Sequence, residues 1–203
     1  MPILPAEPCV YPDDLLQTCE TIPSAVGEQW WVLHSKPRAE KALARRLRSR
    51  FVSHFLPLYQ HSWRQRGRNH TSFLPLFPGY VFLYGADDAR HLAVESNLIV
   101  RLLPVADQQQ LLTDLSRVYR LLSGNLPLTP ENGFRPGVQV EITTGPFEGI
   151  RGKLLRNDGK IKLVVEVRFL QQGVSLEVEP WMVRAVNDDG AVEPRETDLA
   201  SCR

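Results

Sequence analysis

Three arginines carry the plainest chemical signal in this chain. Arg64, Arg66 and Arg68 alternate around Gly67 within HSWRQRGRNH, His61 to His70. The pattern reads as the tip of a β-hairpin that projects cations and Trp63. Guanidiniums on such a tip suit phosphate oxygens, and the affinity they supply is sensitive to salt. A second cationic set precedes it, with Arg38, Lys41, Arg45 and Arg48 recurring every three or four residues. That is the spacing of one helical face, where like charges repel by about 0.2–0.5 kcal/mol per pair. The face is either solvated or lies beside a polyanion, and the spacing does not choose between them.

Catalytic arrangements are not legible. No Gly-rich loop leads from a strand into a helix with phosphate-cradling spacing, no serine elbow or His/Glu zinc pair occurs, and the five histidines are scattered. The glycines between Gly145 and Gly152 lie between predicted strands, so they form a turn framework. No catalytic residue, metal ligand or cofactor is expected, and the chain reads as a binding protein.

A third stretch of interest is LPLFPGYVFL, Leu74 to Leu83. Tyr80 to Tyr84 is a run of aromatic and β-branched residues suited to a buried strand. Pro75, Pro78 and Gly79 kink its entry, crowding Leu76, Phe77 and Tyr80 together. Such a cluster at a strand mouth is either the edge of a core or an exposed apolar docking patch.

The surrounding elements follow from periodicity. At 203 residues, 43% hydrophobic and 23% charged, the composition suits an ordinary globular chain of one or two domains. The formal net charge of +1 announces no global field, but Arg38 to Arg68 is heavily basic and the end after Glu177 leans acidic. Cys9, Cys19 and Cys202 lack metal-site spacing and read as reduced thiols of a cytoplasmic protein. No stretch approaches the roughly 20 apolar residues of a membrane span, and no signal peptide is legible.

Residues 1–28 hold five prolines, Pro2, Pro5, Pro8, Pro12 and Pro23, and read as an irregular leader. Within it Asp13 to Thr18 could make a turn or two of helix, with Leu15 and Leu16 touching something. Residues 29–123 alternate in type. QWWVLH is a strand with Trp30, Val32 and His34 on one face and Trp31 and Leu33 on the other. Ser35 is the expected N-cap of a helix reaching Phe51, whose core stripe is Ala39, Leu43, Leu47 and Phe51. An edge strand bulged at Pro57, the basic hairpin and the Tyr80 strand follow. Asp87 then caps a short helix, Leu98 to Val105 is a strand, and Asp107 with Gln110 resembles a capping box ahead of Leu111, Leu115, Val118 and Leu122. The order predicts an α+β split-βαβ sandwich with its helices on one face of an antiparallel sheet. Residues 124–135, rich in Pro and Gly, read as a linker. From 136 to 187 the period becomes two, with turns at Asn157-Asp158-Gly159 and Gln172-Gly173, predicting about five short strands in an all-β SH3-like barrel. Residues 188–203 read as an irregular tail.

Two of these stretches carry a resemblance. LFPGYVFL, after a basic loop and ahead of a strand, resembles the signature of the NusG N-terminal domain. Arg135-Pro136-Gly137, Val140, Ile142, Gly145-Pro146-Phe147, Gly149, Gly152 and Leu154 resemble a KOW motif. In this order, across about 30 to 187, they make the chain similar to NusG-family transcription elongation and antitermination factors. The Leu-Phe-Pro before the strand and Glu148-Gly149 after Phe147 look closer to the specialised RfaH and UpxY-type paralogues.

The resemblance implies docking on the clamp helices of bacterial RNA polymerase through Leu76, Phe77 and Tyr80, with His91 facing the other side of the cleft. It implies that Arg38, Lys41, Arg45, Arg64, Arg66 and Arg68 lie near upstream or non-template DNA. It implies that the KOW barrel recruits ribosomal protein NusE or Rho through Phe169 and Leu170, although Phe169 equally continues a core alternation. A cytoplasmic monomer that suppresses pausing is expected. The alternative is a KOW-type RNA-binding or ribosome-associated protein.

Overall fold

The computed structural model describes residues 8–21, 27–124, 127–132, 137–157 and 160–186. Its elements open with β1 (Val10–Tyr11), α1 (Leu15–Thr21), β2 (Gln29–Ser35), α2 (Glu40–Ser49) and β3 (His54–Phe55). A ribbon of β4 (Leu58–Gln65) and β5 (Arg68–Pro75) follows, then β6 (Tyr80–Gly85), α3 (Asp87–Glu95), β7 (Ile99–Pro104) and α4 (Gln108–Ser123). The last part holds β8 (Thr129–Asn132), β9 (Val138–Ile142), β10 (Arg151–Asn157), β11 (Lys160–Val167), β12 (Gln172–Glu177) and β13 (Val183–Ala185). The fold is α+β, a split-βαβ sandwich joined to an all-β SH3-like barrel of the KOW type.

The first sheet has the order β1-β3-β6-β2-β7, every neighbouring pair antiparallel. The alternation along β2 divides its surroundings. Leu33 packs with Val81, Leu83 and the inner residues of α2 and α3, Leu43, Leu47, Ala89 and Ala93. Trp30 and Val32 pack with Phe55, Phe82 and the buried stripe of α4, Leu111, Leu115 and Val118. Helices therefore cover both faces of the sheet, whereas the sequence predicts one. The period of α4 shows that it needs an apolar partner but not which face supplies it.

The expected irregular leader contributes structure. Val10 and Tyr11 pair with Phe55 and His54, extending the sheet by an edge strand, while Leu15 and Leu16 of α1 are buried against the α4 side. Residues 1–7 and 22–26 lie outside the described part. The expected helix from Ser35 to Phe51 is shorter. Ser35 ends β2, Arg38 takes a positive φ of 61°, Ala39 is the N-cap, and Phe51, with φ 57°, is 82% exposed beyond the helix. Ala86, not Asp87, caps α3, and Asp87 instead accepts a 2.7 Å bond from Arg90 Nε. At α4 half of the expected capping box forms: Asp107 Oδ1 accepts from the Gln110 N–H at 2.9 Å, while the Gln110 side chain turns to Asp114 and Arg168.

The second sheet has the order β13-β9-β10-β11-β12-β8. The expected linker 124–135 contains β8, which pairs with β12 from Thr129↔Ser175 to Asn132↔Gln172. The barrel unit accordingly begins within that segment, and its sheet has six strands where five are predicted. Pro130 is tolerated because β8 is an edge strand. The Arg135-Pro136 and Asp158-Gly159 positions, and the tail from 187, lie outside the described residues. Gly152 sits where a Cβ would lie 2.5 Å from the Val164 carbonyl oxygen, so the β10–β11 approach requires glycine there.

The barrel rests on α4. Asp114, buried on that helix, accepts from the Arg168 N–H at 3.0 Å and from Gln110 Nε2 at 2.8 Å. Arg120 donates to the Glu148 carbonyl at 2.9 Å. Burial raises the Asp114 carboxyl above its usual range, and the hydrogen bonds from Arg168 and Gln110 offset only part of that rise.

Candidate functional site

The basic hairpin is a free-standing two-stranded ribbon, β4 against β5, with pairing from Leu58↔Pro75 to Gln65↔Arg68. Arg66 and Gly67 close it with φ of 48° and 76°, the positive pair of a type I′ turn. Every residue from Gln60 to Thr71 is exposed. The register separates the arginines: Arg64 shares a face with Asn69 and Phe73, Arg68 shares the other with Gln65 and Trp63, and Arg66 is in the turn. No Asp or Glu occurs between Leu58 and Pro75. A cationic arm without internal acids is suited to a polyanion, because its charge is not neutralised along its own length.

The earlier cationic set is split by the short helix. Arg38 precedes α2, while Lys41 and Arg45 lie on it, with Arg38 and Arg45 exposed and Lys41 half-buried. Arg48, at its end, stands over the Tyr11 ring at 5.3 Å from the centroid.

The LFPGY turn is held from behind. Glu40, 7% exposed at the start of α2, accepts the Gly79 N–H on Oε1 at 2.8 Å, and the Gly79 carbonyl accepts from the Ser35 N–H at 2.8 Å. The Leu76 N–H donates to the Pro57 carbonyl at 2.8 Å. Gly79 takes φ 84°, which a side chain would strain. These bonds seat Leu76 and Phe77 inward, each 1% exposed, with Phe77 edge-on to Phe82 at 6.1 Å. Both belong to the core, so the exposed-patch alternative does not describe them. The next residue on that side, Tyr80, is half-buried and stacks on His34 at 5.2 Å between centroids and 23° between planes. That ring pair reaches solvent beside the exposed Pro78. His34, on the same strand face as Trp30 and Val32, is a member of the site that its alternation alone did not single out.

His91 is exposed on α3, beside Arg90. The guanidinium of Arg90 lies over the Trp31 ring at 5.7 Å. Nothing described brings His91 together with Tyr80. On the barrel, Phe169 is 37% exposed within a 3-10 turn, Arg168–Leu170, while Leu170 is half-buried against the core. Gln171 follows with φ 53°. The turn aims Phe169 outward and Leu170 inward, dividing a pair that the sequence treats together.

Among the described residues no group of three His, Cys, Asp or Glu stands close enough to hold a metal ion. No described helix is long and apolar enough to cross a membrane. Cys9 and Cys19 are half-buried, with burial raising the Cys9 pKa, and Cys202 lies outside the described residues.

A family model described as transcription termination factor nusG matches residues 28–130, just over half of the chain. Those residues include the sheet from β2 onward, the ribbon, the LFPGY turn and α4. Among solved structures the chain is similar to NusG of Thermotoga maritima, reported for its domain interaction, with 18% identity over 81% of this chain and 100% of that one, at a TM-score of 0.49. It is similar also to the MjSpt4:Spt5 complex in two conformations. Conformation A has 21% identity over 77% and 97% of the two chains at TM-score 0.25, and conformation B has 17% over 81% and 99% at 0.27. No curated protein matches the chain. On the family match, the chain belongs to the NusG family of transcription factors.

Proposed function

We propose that this protein is a bacterial transcription elongation and antitermination factor that docks on the RNA polymerase clamp and suppresses pausing. The family match across residues 28–130 carries the reading. In it the contact surface centres on Tyr80 and His34, the half-exposed stack at the mouth of β6. Leu76 and Phe77 act beneath that surface by fixing the turn, and His91 on α3 lies toward the other wall of the cleft. The β4–β5 ribbon, with Arg64, Arg66 and Arg68, and the outer face of α2, with Arg38, Lys41 and Arg45, lie toward upstream or non-template DNA.

No bond is made or broken in this mechanism, and the residues act through binding alone. A ligand shifts a two-state equilibrium only by its differential affinity for the two states. Clamping across the cleft favours the closed, elongating polymerase over the open, paused one, and about 2–3 kcal/mol of difference changes the ratio roughly 30- to 150-fold. The barrel, on this reading, recruits a second partner, NusE or Rho, through Phe169 at its exposed 3-10 turn, with Leu170 half-buried behind it. The protein acts in the cytoplasm as a monomer and uses no cofactor.

The test is a single-round transcription assay on a template with a defined pause, using purified bacterial polymerase and the full chain. Shortened pause half-life is the expected result. Unchanged pausing and termination at saturating protein would reject the reading and favour the alternative of an RNA-binding KOW protein.

A further inference from the structure

We infer that one face of the β4–β5 ribbon is a base-stacking site for single-stranded DNA. The register places Tyr59, His61 and Trp63 on one face of β4 and sets His70 of β5 directly opposite Trp63. Their rings form a column. His61 stacks on Trp63 at 5.8 Å and 21°, Trp63 on His70 at 5.4 Å and 18°, and Tyr59 meets His61 edge-on at 6.3 Å and 70°. The column begins at the core, where Tyr59 packs on the α4 side of the sheet together with Tyr80. It ends in solvent, with Trp63 40% exposed and both histidines exposed.

The column stands on an arm whose only charges are cationic. Arg68 lies on the same face, one rung beyond His70, and Arg66 is at the tip. Flat rings with a guanidinium at the next rung match a nucleotide, base on ring and phosphate on cation. Paired bases bury their faces in the duplex stack, so such a column can take only unpaired ones. A structural role accounts for less. A cross-strand aromatic pair steadies a hairpin, and Trp63 with His70 would suffice for that. It explains neither a third stacked ring nor the absence of acids from eighteen consecutive residues, Leu58 to Pro75. The choice of DNA rests on the proposed function, in which the ribbon lies toward upstream or non-template DNA, and of these the non-template strand is the unpaired one.

The test is fluorescence anisotropy of a labelled single strand of about 15 nucleotides, within the span one such binding surface covers, titrated with the full chain in the absence of polymerase. Its duplex and the RNA of the same sequence run in parallel, at several salt concentrations. Tighter binding of single-stranded DNA than of duplex or RNA is expected. Trp63→Val keeps a strand-favouring residue but removes the ring, and should weaken single-strand binding about tenfold with the salt slope unchanged. Trp63→Phe should restore most of that loss. Because a ring at 63 also steadies the hairpin, Trp63→Val should melt within a few degrees of wild type. A loss of binding that tracks a lowered melting temperature would assign the effect to the hairpin and overturn the inference. Equal binding of duplex, preference for RNA, or unaltered affinity in Trp63→Val would each overturn the inference. Because polymerase is absent, failure of clamp docking leaves this result untouched. Retained polymerase capture by Trp63→Val would in turn show that loss of DNA binding left docking intact.

Discussion

Gly124 closes α4 at the place where the ring of Phe147 arrives from the barrel, and a Cβ on Gly124 would lie 2.0 Å from Phe147 Cζ. Phe147 is 3% exposed, so its ring can give way only by repacking along the cavity that it borders with Tyr119 and Pro146. The glycine is needed for this approach and not for its backbone, since its φ is −85°. Gly124→Ala should therefore cost about 1–3 kcal/mol, as overpacking does, and lower the melting temperature by several degrees. The double variant Gly124→Ala with Phe147→Leu should lose less than the sum of the two single changes. Strict additivity would show that the two residues do not constrain one another.

His54 makes stability dependent on pH. It is buried in β3, its Nδ1 is 2.8 Å from the Val52 carbonyl, and it stacks on Tyr11 at 5.9 Å. Burial, with Arg48 nearby, holds its pKa below the usual 6.5, although the Val52 hydrogen bond works the other way. The unfolded chain therefore binds the proton more readily than the folded one. The stability from neutral His54 is present above pH 6.5 and is lost as pH falls through the lower folded value. Urea denaturation at pH 7.5 and 5.5 should show a loss of up to about 1.4 kcal/mol per pH unit from this group. His54→Gln should show a smaller loss between the same two pH values. Equal losses in both proteins would assign the dependence elsewhere.

The elements with a strong period were legible, and those defined by a tertiary partner were not. Leu111, Leu115 and Val118 announce α4, and the Asp107–Gln110 cap sits where its spacing puts it. The Tyr80 strand and the arginine hairpin were equally open to reading, because aromatic residues and a positive-φ turn are local signals. β1 and β8 were not. Two residues and four residues, with prolines beside or within them, have no period of their own and become strands only because β3 and β12 offer free edges. Phe77 shows the limit at the site. Composition makes it a patch or a core residue alike, and the decision falls to bonds from Gly79 to Glu40 and Ser35 that no spacing reveals. The ring column on β4 was hidden for the same reason, since His70 joins Trp63 only through the register.

The hidden strand has a measurable consequence. Glu131 in β8 accepts from Ser175 Oγ at 2.9 Å and lies 3.9 Å from Lys162 Nζ. A fragment of residues 127–187 should unfold at higher urea than one of residues 134–187. The expected gap is about 2 kcal/mol or more, from ladder bonds of about 0.5–1.5 kcal/mol each. Identical midpoints would mean that β8 adds nothing to the barrel. Circular dichroism of the longer fragment should be that of a β protein without stable helix.

Phe77 and Tyr80 should separate packing from contact. Phe77→Ala empties a buried site and should cost about 3–5 kcal/mol of folding stability. Tyr80→Ala removes a half-exposed ring and its His34 stack, and should cost about 1 kcal/mol. A Tyr80 variant as unstable as the Phe77 variant would place both rings in the core and move the contact surface elsewhere.

Docking of the Tyr80 region on the polymerase clamp, as proposed, is tested most directly by a competition pull-down. Full-length chain is captured by purified bacterial RNA polymerase, with and without an excess of free clamp-helix fragment, and Tyr80→Ala is run beside it. Interface anchors of this kind cost about 2 kcal/mol or more when truncated, a loss of roughly thirtyfold in affinity. The predicted result is capture of the wild type, its elimination by the fragment, and near-blank capture of a variant that still melts within a few degrees of wild type. Undiminished capture of Tyr80→Ala, or capture that the clamp-helix fragment cannot compete away, would contradict it.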